Sequence, residues 1–378
     1  MKILIIRTAG NVINFSNYNL QEVGLAKAFI KLGHQADIVY FGGKNKNIQE
    51  IKCDGGIINL FWLKGISIVG NGIFKGLKPL LDEYDVIQVN DYDQLTSIYL
   101  MLFSKYRDKV VLYHGPYINK YTNKYRYKCK VIDKITFFSK RKKNVCCFVK
   151  SELAKQFLEK RGFNNITVTG VGLDTSRLNN KKASNDIENI ENLKNEFVLL
   201  FVGRIDKYKN LLFALKVLNE VRSEIQNVHL LIVGYGDDEY EEKVKEYIQC
   251  NNLKNNITWI SKLPQEKMRQ VYDVSNVLLL PTLREIFGMV ILESMYCNIP
   301  VITTYNGGSC TAIDNEKSGY ILPLDVDKWE QTIIELYNNP QKMDLIQNNA
   351  NFKVKSVFTW DNIAKTMIDK YRTDLKKI

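Results

Sequence analysis

The chain lacks the long uncharged apolar segments that cross membranes. No stretch of its 378 residues reaches the roughly 18 to 20 such residues that a spanning helix needs. The opening MKILIIR becomes charged too soon to be the core of a secretory signal and is more typical of a first strand. We therefore expect a cytoplasmic protein.

Cysteine and histidine are also too sparse, and too scattered, to indicate a metal site or a disulfide framework. The seven cysteines are odd in number and lack the paired spacing of zinc ligands. This pattern is typical of reduced thiols in the cytoplasm. The histidines number three, and two of them, His34 and His229, precede strands and are interpreted as structural.

Two common cofactor-binding patterns are missing. A dinucleotide site needs G-x-G-x-x-G after the first strand, where this chain has only Gly10, and VGYGDDEYEE (233–242) has acids where a pyrophosphate would lie. No G-x-x-x-x-G-K-[ST] occurs, so a P-loop is excluded. We expect no cofactor.

Positive charge is concentrated in the first half of the chain. The net charge is +12, but residues 1–178 carry 28 Lys+Arg against 14 Asp+Glu, while residues 179–378 carry 25 against 27. Residues 119–150 hold 11 basic residues, one acid and interleaved aromatics. Such a segment suits a membrane surface of anionic lipid, or a solvated basic face. Nucleic acid is not expected, because no helix-turn-helix, zinc or RNA-binding signature accompanies the charge.

Short apolar runs alternate with helical patterns through both halves. Runs such as KILIIR (2–7) and FVLLFVG (197–203) suit strands buried on both faces, and segments such as 19–33 have apolar residues at helical spacing. The alternation predicts two doubly wound α/β domains with parallel sheets, over 1–178 and 179–356. Ligands bind such sheets beyond the carboxyl ends of the strands, so polar residues directly after strands are the functional candidates.

Two charged pairs follow strands of the second half. Arg204 and Lys209 come after FVLLFVG, five positions apart, where they can converge on one diphosphate beside a helix N-terminus. Glu285 follows NVLLLP in a turn, and Glu293 lies one to two turns into a helix predicted over 288–297. A carboxylate accepts hydrogen bonds from paired sugar hydroxyls, so the two glutamates can hold sugars at both ends of a diphosphate.

The first turn of that helix separates the two glutamates. Its N–H groups lack intrahelical acceptors and favour an anion, and a glycine lets the anion approach the backbone. The residues concerned are Phe287, Gly288, Met289 and Val290. Together with the charged pairs they predict a nucleotide-sugar site.

The motifs FVGRIDKYKN, LLLPTLREIFGMVILESM and PVITTYNGG, taken together, resemble the retaining family 4 glycosyltransferases of the GT-B fold. The resemblance covers the whole chain. It implies two Rossmann-like domains facing a central cleft, with the acceptor on the first domain and the donor on the second. It also implies that a C-terminal helix, about 357–378, crosses back to the first domain.

The resemblance gives each matching residue a role. Arg204 and Lys209 would bind the donor diphosphate and stabilise the leaving group, and Glu293 would hold the ribose. Glu285 would face the donor sugar and the positive charge that develops at its anomeric carbon. His114, in VVLYHGPY, would hydrogen-bond to the transferred sugar. The backbone of residues 287–290 would contact sugar and phosphate.

Two positions depart from the family pattern. The first loop has Gly10 alone where the family usually has two glycines, so Gly10, Asn11 and Tyr18 are acceptor-side candidates only. Thr311, in GGSCT, stands where many members have Glu, and a donor contact there can differ.

The dipeptide-spaced acids of NDYD, Asp91 and Asp93, match a metal-binding pattern of another glycosyltransferase fold. We interpret them as solvated acids of a strand-end turn, because they lie far along the chain from the diphosphate candidates. Since Arg204, Lys209 and a helix N-terminus already offset the diphosphate charge, no metal is expected.

The sequence therefore predicts a retaining, metal-independent glycosyltransferase that moves a hexose or N-acetylhexosamine from a UDP- or GDP-sugar. The expected acceptor is a glycan or a polyprenyl-diphosphate-linked glycan of a bacterial surface polysaccharide, such as capsule, O-antigen or exopolysaccharide. The expected location is the inner face of the cell membrane, contacted through residues 119–150. Alternatives are a nucleotide-sugar epimerase or a phosphorylase on the same fold, and a non-catalytic nucleotide-sugar-binding subunit.

Overall fold

A computed structural model describes residues 1–14, 20–117, 123–179, 187 and 190–375. The chain divides into two compact units. The first unit is Met1–Gly172 with Phe358–Ile378, and the second unit is Leu173–Val357.

The first unit is built on an eight-stranded sheet with the order β10-β9-β8-β7-β1-β2-β4-β3. Its strands, and those of a separate hairpin formed by β5 and β6, are β1 (Lys2–Ile6), β2 (Gln35–Phe41), β3 (Asn47–Cys53), β4 (Gly56–Leu63), β5 (Gly65–Ile68), β6 (Asn71–Phe74), β7 (Val86–Asn90), β8 (Val110–His114), β9 (Cys147–Val149) and β10 (Ile166–Val168). Its helices are α1 (Gln21–Lys31), α2 (Leu77–Glu83), α3 (Leu95–Ile98), α4 (Asn123–Thr136), α5 (Glu152–Glu159) and α13 (Trp360–Asp374).

One edge of this sheet corrects the prediction of purely parallel sheets. Strands β3 and β4 pair antiparallel, from Asn47 opposite Trp62 to Cys53 opposite Gly56. The side chains of β3 are largely exposed. An exposed edge strand can carry polar residues on both faces, so NIQEIKC lacks the apolar run from which the other strands were predicted.

The C-terminal helix α13 packs in the first unit against α1. The ring of Tyr371 lies 6.1 Å from that of Phe29. Trp360 covers Gly24 so closely that an added Cβ there would lie 2.2 Å from the indole Nε1. Glycine at this position therefore lets the helix approach the α1 backbone.

The second unit is built on a six-stranded sheet with the order β13-β12-β11-β14-β15-β16, in which all pairs are parallel. Its strands are β11 (Phe197–Val202), β12 (Val228–Val233), β13 (Ile257–Ile260), β14 (Val277–Leu280), β15 (Val301–Thr303) and β16 (Tyr320–Ile321). Its helices are α6 (Leu211–Glu224), α7 (Asp238–Cys250), α8 (Met268–Asp273), α9 (Met289–Tyr296), α10 (Ser309–Ala312), α11 (Val326–Asn338) and α12 (Pro340–Val357).

This strand order is that of a Rossmann sheet, and it reverses between β11 and β14. Ligands of such sheets bind at the reversal, beyond the carboxyl ends of the strands. The loops that leave the two strands there are residues 203–210 and 281–288. They contain Arg204, Lys209 and Glu285.

Candidate functional site

The loop after β11 is organised by a residue that the sequence analysis missed, Asp206. Its Oδ1 accepts hydrogen bonds from the backbone N–H groups of Tyr208 and Lys209, at 2.8 and 2.9 Å. Its Oδ2 lies 3.6 Å from Nε of Arg204. An aspartate that accepts from amides two and three residues ahead is a common turn element, and this spacing in RIDKYK was the available signal.

Lys209 and Glu285 form an ion pair, with Nζ donating to Oε2 of the carboxylate. Their side chains are only 22% and 14% exposed, so solvent screens the pair less than a surface one. The other carboxylate oxygen of Glu285 accepts the N–H of Ile286 at 3.1 Å. The sequence analysis assigned the two residues to different parts of a donor, whereas here they contact one another.

Arg204 does not join that pair. Its side chain is 70% exposed and lies beside Asp206. A long, exposed guanidinium can still reach an anion at the mouth of the loop, but it is not held there by the protein.

Gly288 lies where no other residue would fit without strain. Its φ is +78°, in the left-handed region, and it is the N-cap of α9. A Cβ added there would lie 3.0 Å from Cγ of Glu285. The glycine thus allows the Glu285 side chain to lie beside the first turn of α9. The first N–H groups of a helix lack acceptors within it, and that of Ile291 donates to the carbonyl of Gly288 at 3.0 Å. The side chain of Phe287 is buried.

The loop after β15 closes against the same turn. The N–H of Gly307 donates to the backbone oxygen of Glu285 at 3.3 Å, and Gly308 lies against the carbonyl of Phe287. Asn306, which the sequence analysis also missed, accepts from the N–H groups of Gly308 and Ser309 at 3.0 Å each. Its signal was its place directly before the double glycine.

Thr311 is used within that loop. Its hydroxyl donates to the backbone oxygen of Gly307 at 2.9 Å. The residue that departs from the family pattern therefore braces the loop that contacts Glu285.

Glu293, inside α9, accepts a hydrogen bond at 2.7 Å from the hydroxyl of Tyr272, which lies on α8. Burial raises the pKa of Glu293 above that of an ordinary glutamate, and the hydrogen bond opposes this effect. Burial, and then the charge of Glu293, raise the pKa of Tyr272 as well. Tyr272 therefore fixes the orientation of the carboxylate.

Three strand-end loops and helix α9 thus place two cations and three carboxylates in one Rossmann unit: Arg204, Lys209, Asp206, Glu285 and Glu293. Residues 183–352 match the family model of the glycosyl transferases group 1. Each of the four charged candidates of the second unit lies inside this matched segment.

Comparison with whole proteins agrees with that match. The chain is 23% identical over 384 residues to an uncharacterized glycosyltransferase of Methanocaldococcus jannaschii, covering 92% of each chain. It is 28% identical over 236 residues to CapM, a capsular polysaccharide biosynthesis glycosyltransferase of Staphylococcus aureus, covering 61% of this chain and 59% of CapM.

Among solved structures, Anabaena HepE in complex with UDP superposes with a TM-score of 0.72 at 17% identity, covering 99% of this chain and 100% of HepE. The predicted α/β fold of GT-B type, with two Rossmann-like units, is confirmed.

Replacing Glu293 with glutamine should stabilise the protein at neutral pH. Because the pKa of Glu293 is raised from 4.5, the folded state holds more protons than the unfolded state between pH 4.5 and the raised value. Stability therefore falls as pH rises through that window, and above it the ionised carboxylate is a cost. Glutamine still accepts from Tyr272 but carries no charge.

We expect Glu293→Gln to raise the melting temperature by about 2 °C or more at about pH 7.5 and to leave it unchanged at about pH 4, as measured by differential scanning fluorimetry. Glu246→Gln, at an exposed position of α7, is the matched control and should change neither value. A lower melting temperature for Glu293→Gln at both pH values would contradict the expectation.

In the first unit, His114 ends β8 and is fully buried. Its Nδ1 accepts the N–H of Tyr92 at 3.2 Å and lies 3.5 Å from Oδ1 of Asp91. The hydrogen bond from Tyr92 favours the tautomer with the proton on Nε2. Within the described residues Nε2 has no hydrogen-bond partner. The ring of Phe157 packs over the imidazole at 5.1 Å. The His114 ring is therefore fixed in place, with an Nε2 that no described residue uses.

The prediction that both acids of NDYD are solvated is wrong for Asp93. Asp93 is buried and pairs with Lys128 of α4 at 2.6 Å. Burial, and then the charge of Asp91, raise the pKa of Asp93. Asp91 has φ +60° and accepts the N–H of Gly115 at 3.2 Å. In the parts of the chain that are described, no three His, Cys, Asp or Glu side chains group as metal ligands.

Only some of the basic side chains of segment 119–150 are exposed and unpaired with an acid. Lys142 is buried, Lys128 pairs with Asp93, and Arg141 pairs with Asp108 at 2.5 Å. The single acid, Asp133, has both carboxylate oxygens within 3.2 Å of the guanidinium of Arg161. The outward charge of the segment is therefore positive.

The acceptor-side candidates lie at the loop after β1. The N–H of Gly10 donates to the carbonyl of Gly70 at 3.0 Å, and Asn11 is exposed. Tyr18 lies outside the described residues.

Among the helices of the described ranges, none has the length and apolarity of a membrane span.

Proposed function

We propose that the protein is a retaining glycosyltransferase that takes a hexose or N-acetylhexosamine from a UDP- or GDP-sugar. The observation that carries the proposal is the Lys209–Glu285 ion pair beside the open first turn of α9, within the segment that matches the glycosyl transferases group 1 model. HepE, which shares the fold, binds UDP.

The Lys209–Glu285 pair suggests how the donor is held. A diphosphate that approaches the first turn of α9 competes with Glu285 for the ammonium of Lys209. Lys209, Arg204 and the helix N-terminus then offset the charge of the leaving group without a metal ion. Glu285 keeps its contact with the N–H of Ile286 and is directed at the sugar.

Glu293 is proposed to hold the ribose. Tyr272 occupies one carboxylate oxygen, and the other is available to a hydroxyl donor. Because burial makes the ionised form costly, paired ribose hydroxyls that donate to the carboxylate stabilise it.

The proposed chemistry is transfer with retention. The bond from the anomeric carbon to the diphosphate oxygen breaks, the acceptor hydroxyl oxygen bonds to the same face, and its proton moves to the leaving diphosphate. Glu285 stabilises the positive charge at the anomeric carbon. His114 is proposed to donate its Nε2–H to a hydroxyl of the transferred sugar.

We also propose that the acceptor is a glycan or a lipid-linked glycan of a bacterial surface polysaccharide, the product class named for CapM. A contact with anionic membrane lipid through residues 119–150 fits this acceptor. The outward side chains of that segment mix cations and aromatics: Arg126, Tyr127, Lys130, Lys134, Phe137, Phe138, Lys140 and Lys143 are all exposed.

A panel of nucleotide sugars tests the proposal. We expect one UDP- or GDP-sugar to raise the melting temperature most and to be slowly hydrolysed, with release of the nucleoside diphosphate. Donors of the other base should do neither at equal concentration. The measurements are differential scanning fluorimetry and chromatography of the products.

The rival functions predict different results from the same panel. A nucleotide-sugar epimerase would convert the free donor into an epimer without releasing the nucleoside diphosphate. A non-catalytic binding subunit would give the thermal shift without hydrolysis or transfer. If no donor shifts the melting temperature, the proposed function and both rival functions are contradicted.

A further inference from the structure

Strands β5 and β6 form a two-stranded hairpin in the first unit, outside its eight-stranded sheet. Gly65 pairs with Phe74, Ile66 with Ile73, Ser67 with Gly72 and Ile68 with Asn71. The two residues at the turn, Val69 and Gly70, both have positive φ, at 51° and 78°. This is a type I′ turn, which matches the twist of the strands.

One face of the hairpin is firmly packed. The N–H of Gly72 donates to the carbonyl of Thr8 at 2.9 Å, and that of Gly10 to Gly70 at 3.0 Å. Phe74 stacks edge-on against Phe41 with ring centroids 6.0 Å apart. The hairpin is therefore held rigidly beside the loop that follows β1.

The opposite face is apolar and exposed. The paired side chains Ile66 and Ile73 are 61% and 40% exposed, and Ile68, two residues from Ile66, is 44% exposed. A hairpin face that meets water normally carries polar residues. Three isoleucines there indicate a surface suited to an apolar environment.

The tip has the same character. Val69 is 51% exposed, and its backbone lies in the left-handed region, where a β-branched residue is strained. Asparagine or glycine is the usual residue at this turn position. The strained valine contributes an apolar tip rather than turn stability.

Along the chain, the charged residues nearest the hairpin are lysines, and the next acid beyond them, Asp82, interacts with Lys78. Residues 55–81 contain no Asp or Glu, and their only charged residues are Lys64, Lys75 and Lys78. All three lysines are exposed and lie at the base of the hairpin or just beyond it. A basic collar below an apolar ridge is complementary to a surface of anionic lipid.

We propose that this hairpin inserts its tip into the interfacial layer of an anionic bilayer. Ile66, Ile68, Val69 and Ile73 enter the acyl boundary, and the three lysines contact the lipid headgroups. The hairpin is a ridge rather than a groove, so it fits a bilayer better than a single extended chain. The contact is separate from the one proposed for residues 119–150, and neither depends on sugar transfer.

Co-sedimentation of the full chain with vesicles tests the insertion. Vesicles of phosphatidylcholine with phosphatidylglycerol are compared with phosphatidylcholine alone, without nucleotide sugar. We expect binding to the anionic vesicles only, weakened by raising salt from about 0.1 to about 1 M. Ile66→Asn combined with Ile68→Asn should weaken the partition about tenfold or more.

Matched controls distinguish insertion of the hairpin from nonspecific adsorption to vesicles. Ile48→Asn alters an isoleucine that is 55% exposed on β3, and it should leave binding unchanged. The collar variant Lys64→Gln/Lys75→Gln/Lys78→Gln should weaken binding about tenfold or more, whereas Lys254→Gln/Lys262→Gln/Lys317→Gln, at exposed sites of the second unit, should weaken it much less.

Val69→Asn should change the melting temperature and vesicle binding in opposite directions. Asparagine relieves the strain at the turn, so the melting temperature should rise while vesicle binding falls severalfold. Unchanged binding in both Ile66→Asn/Ile68→Asn and Val69→Asn would overturn the proposal. Loss of binding in Phe137→Ser/Phe138→Ser alone would assign the membrane contact to residues 119–150 instead.

Discussion

Alanine in place of Lys209 or Arg204 should lower turnover by about two orders of magnitude or more. Both residues are proposed to stabilise the departing diphosphate, which carries more charge in the transition state than in the bound donor. The measurement is release of the nucleoside diphosphate at saturating donor, with and without acceptor. Near-normal turnover in both variants would remove the assignment.

Lys207 offers the control for that experiment. It is exposed in the same loop, and its ammonium lies over the ring of Tyr208 at 5.4 Å. Lys207→Ala removes the same charge and should leave turnover within about twofold of normal, since an exposed charge contributes little at a screened distance.

The ion pair makes the effects of Lys209 and Glu285 interdependent. Lys209→Ala leaves the Glu285 carboxylate without its cation at a poorly exposed position, so part of the loss reflects an uncompensated charge. The double variant Lys209→Ala/Glu285→Ala should therefore lose less activity than the product of the two single losses. Effects that simply multiply would show that the unpaired Glu285 carboxylate contributes nothing to the loss in Lys209→Ala.

Glu285 and Glu293 should give opposite kinetic signatures. Glu285→Ala should lower kcat by about a hundredfold with little change in donor affinity, because its charge acts where positive charge develops. Glu293→Ala should raise the donor KM and Kd about tenfold or more with a smaller change in kcat, because the ribose contact exists before and during transfer. Steady-state kinetics and calorimetry of the nucleoside diphosphate separate the two.

Tyr272→Phe distinguishes a direct role of Glu293 from a structural one. It removes the 2.7 Å hydrogen bond and leaves the carboxylate in place. We expect a smaller rise in the donor KM than for Glu293→Ala, with kcat unchanged. Equal effects of Glu285→Ala and Glu293→Ala on kcat and KM would contradict the division of roles.

The local order of elements in the second unit was predictable because its strands are buried on both faces. FVLLFV and VLLL are continuous apolar runs, and a buried parallel strand needs such a run. Because these runs contain no charged residue, the charged residues that follow them are easy to identify. The left-handed φ of Gly288 explains the glycine at the N-cap of α9.

Of the strands that were missed, β3 and the β5–β6 hairpin meet solvent, whereas β4 is largely buried. Strand β3 is exposed, and in β5 the isoleucines that alternate with Gly65 and Ser67 face outward. A periodicity analysis expects one polar face on such strands and therefore assigns neither. Because β3 was not predicted, its antiparallel pairing with β4 was not predicted either.

The sequence by itself determined the alternation of strands and helices, the excess of positive charge in the first half, and which charged residues follow strands. These depend on neighbouring residues and are read along the chain. Only the tertiary structure decided that Lys209 contacts Glu285, 76 residues away, while Arg204 stays exposed. That contact depends on β11 lying beside β14, and the pairing of strands is set by the packing of the whole sheet.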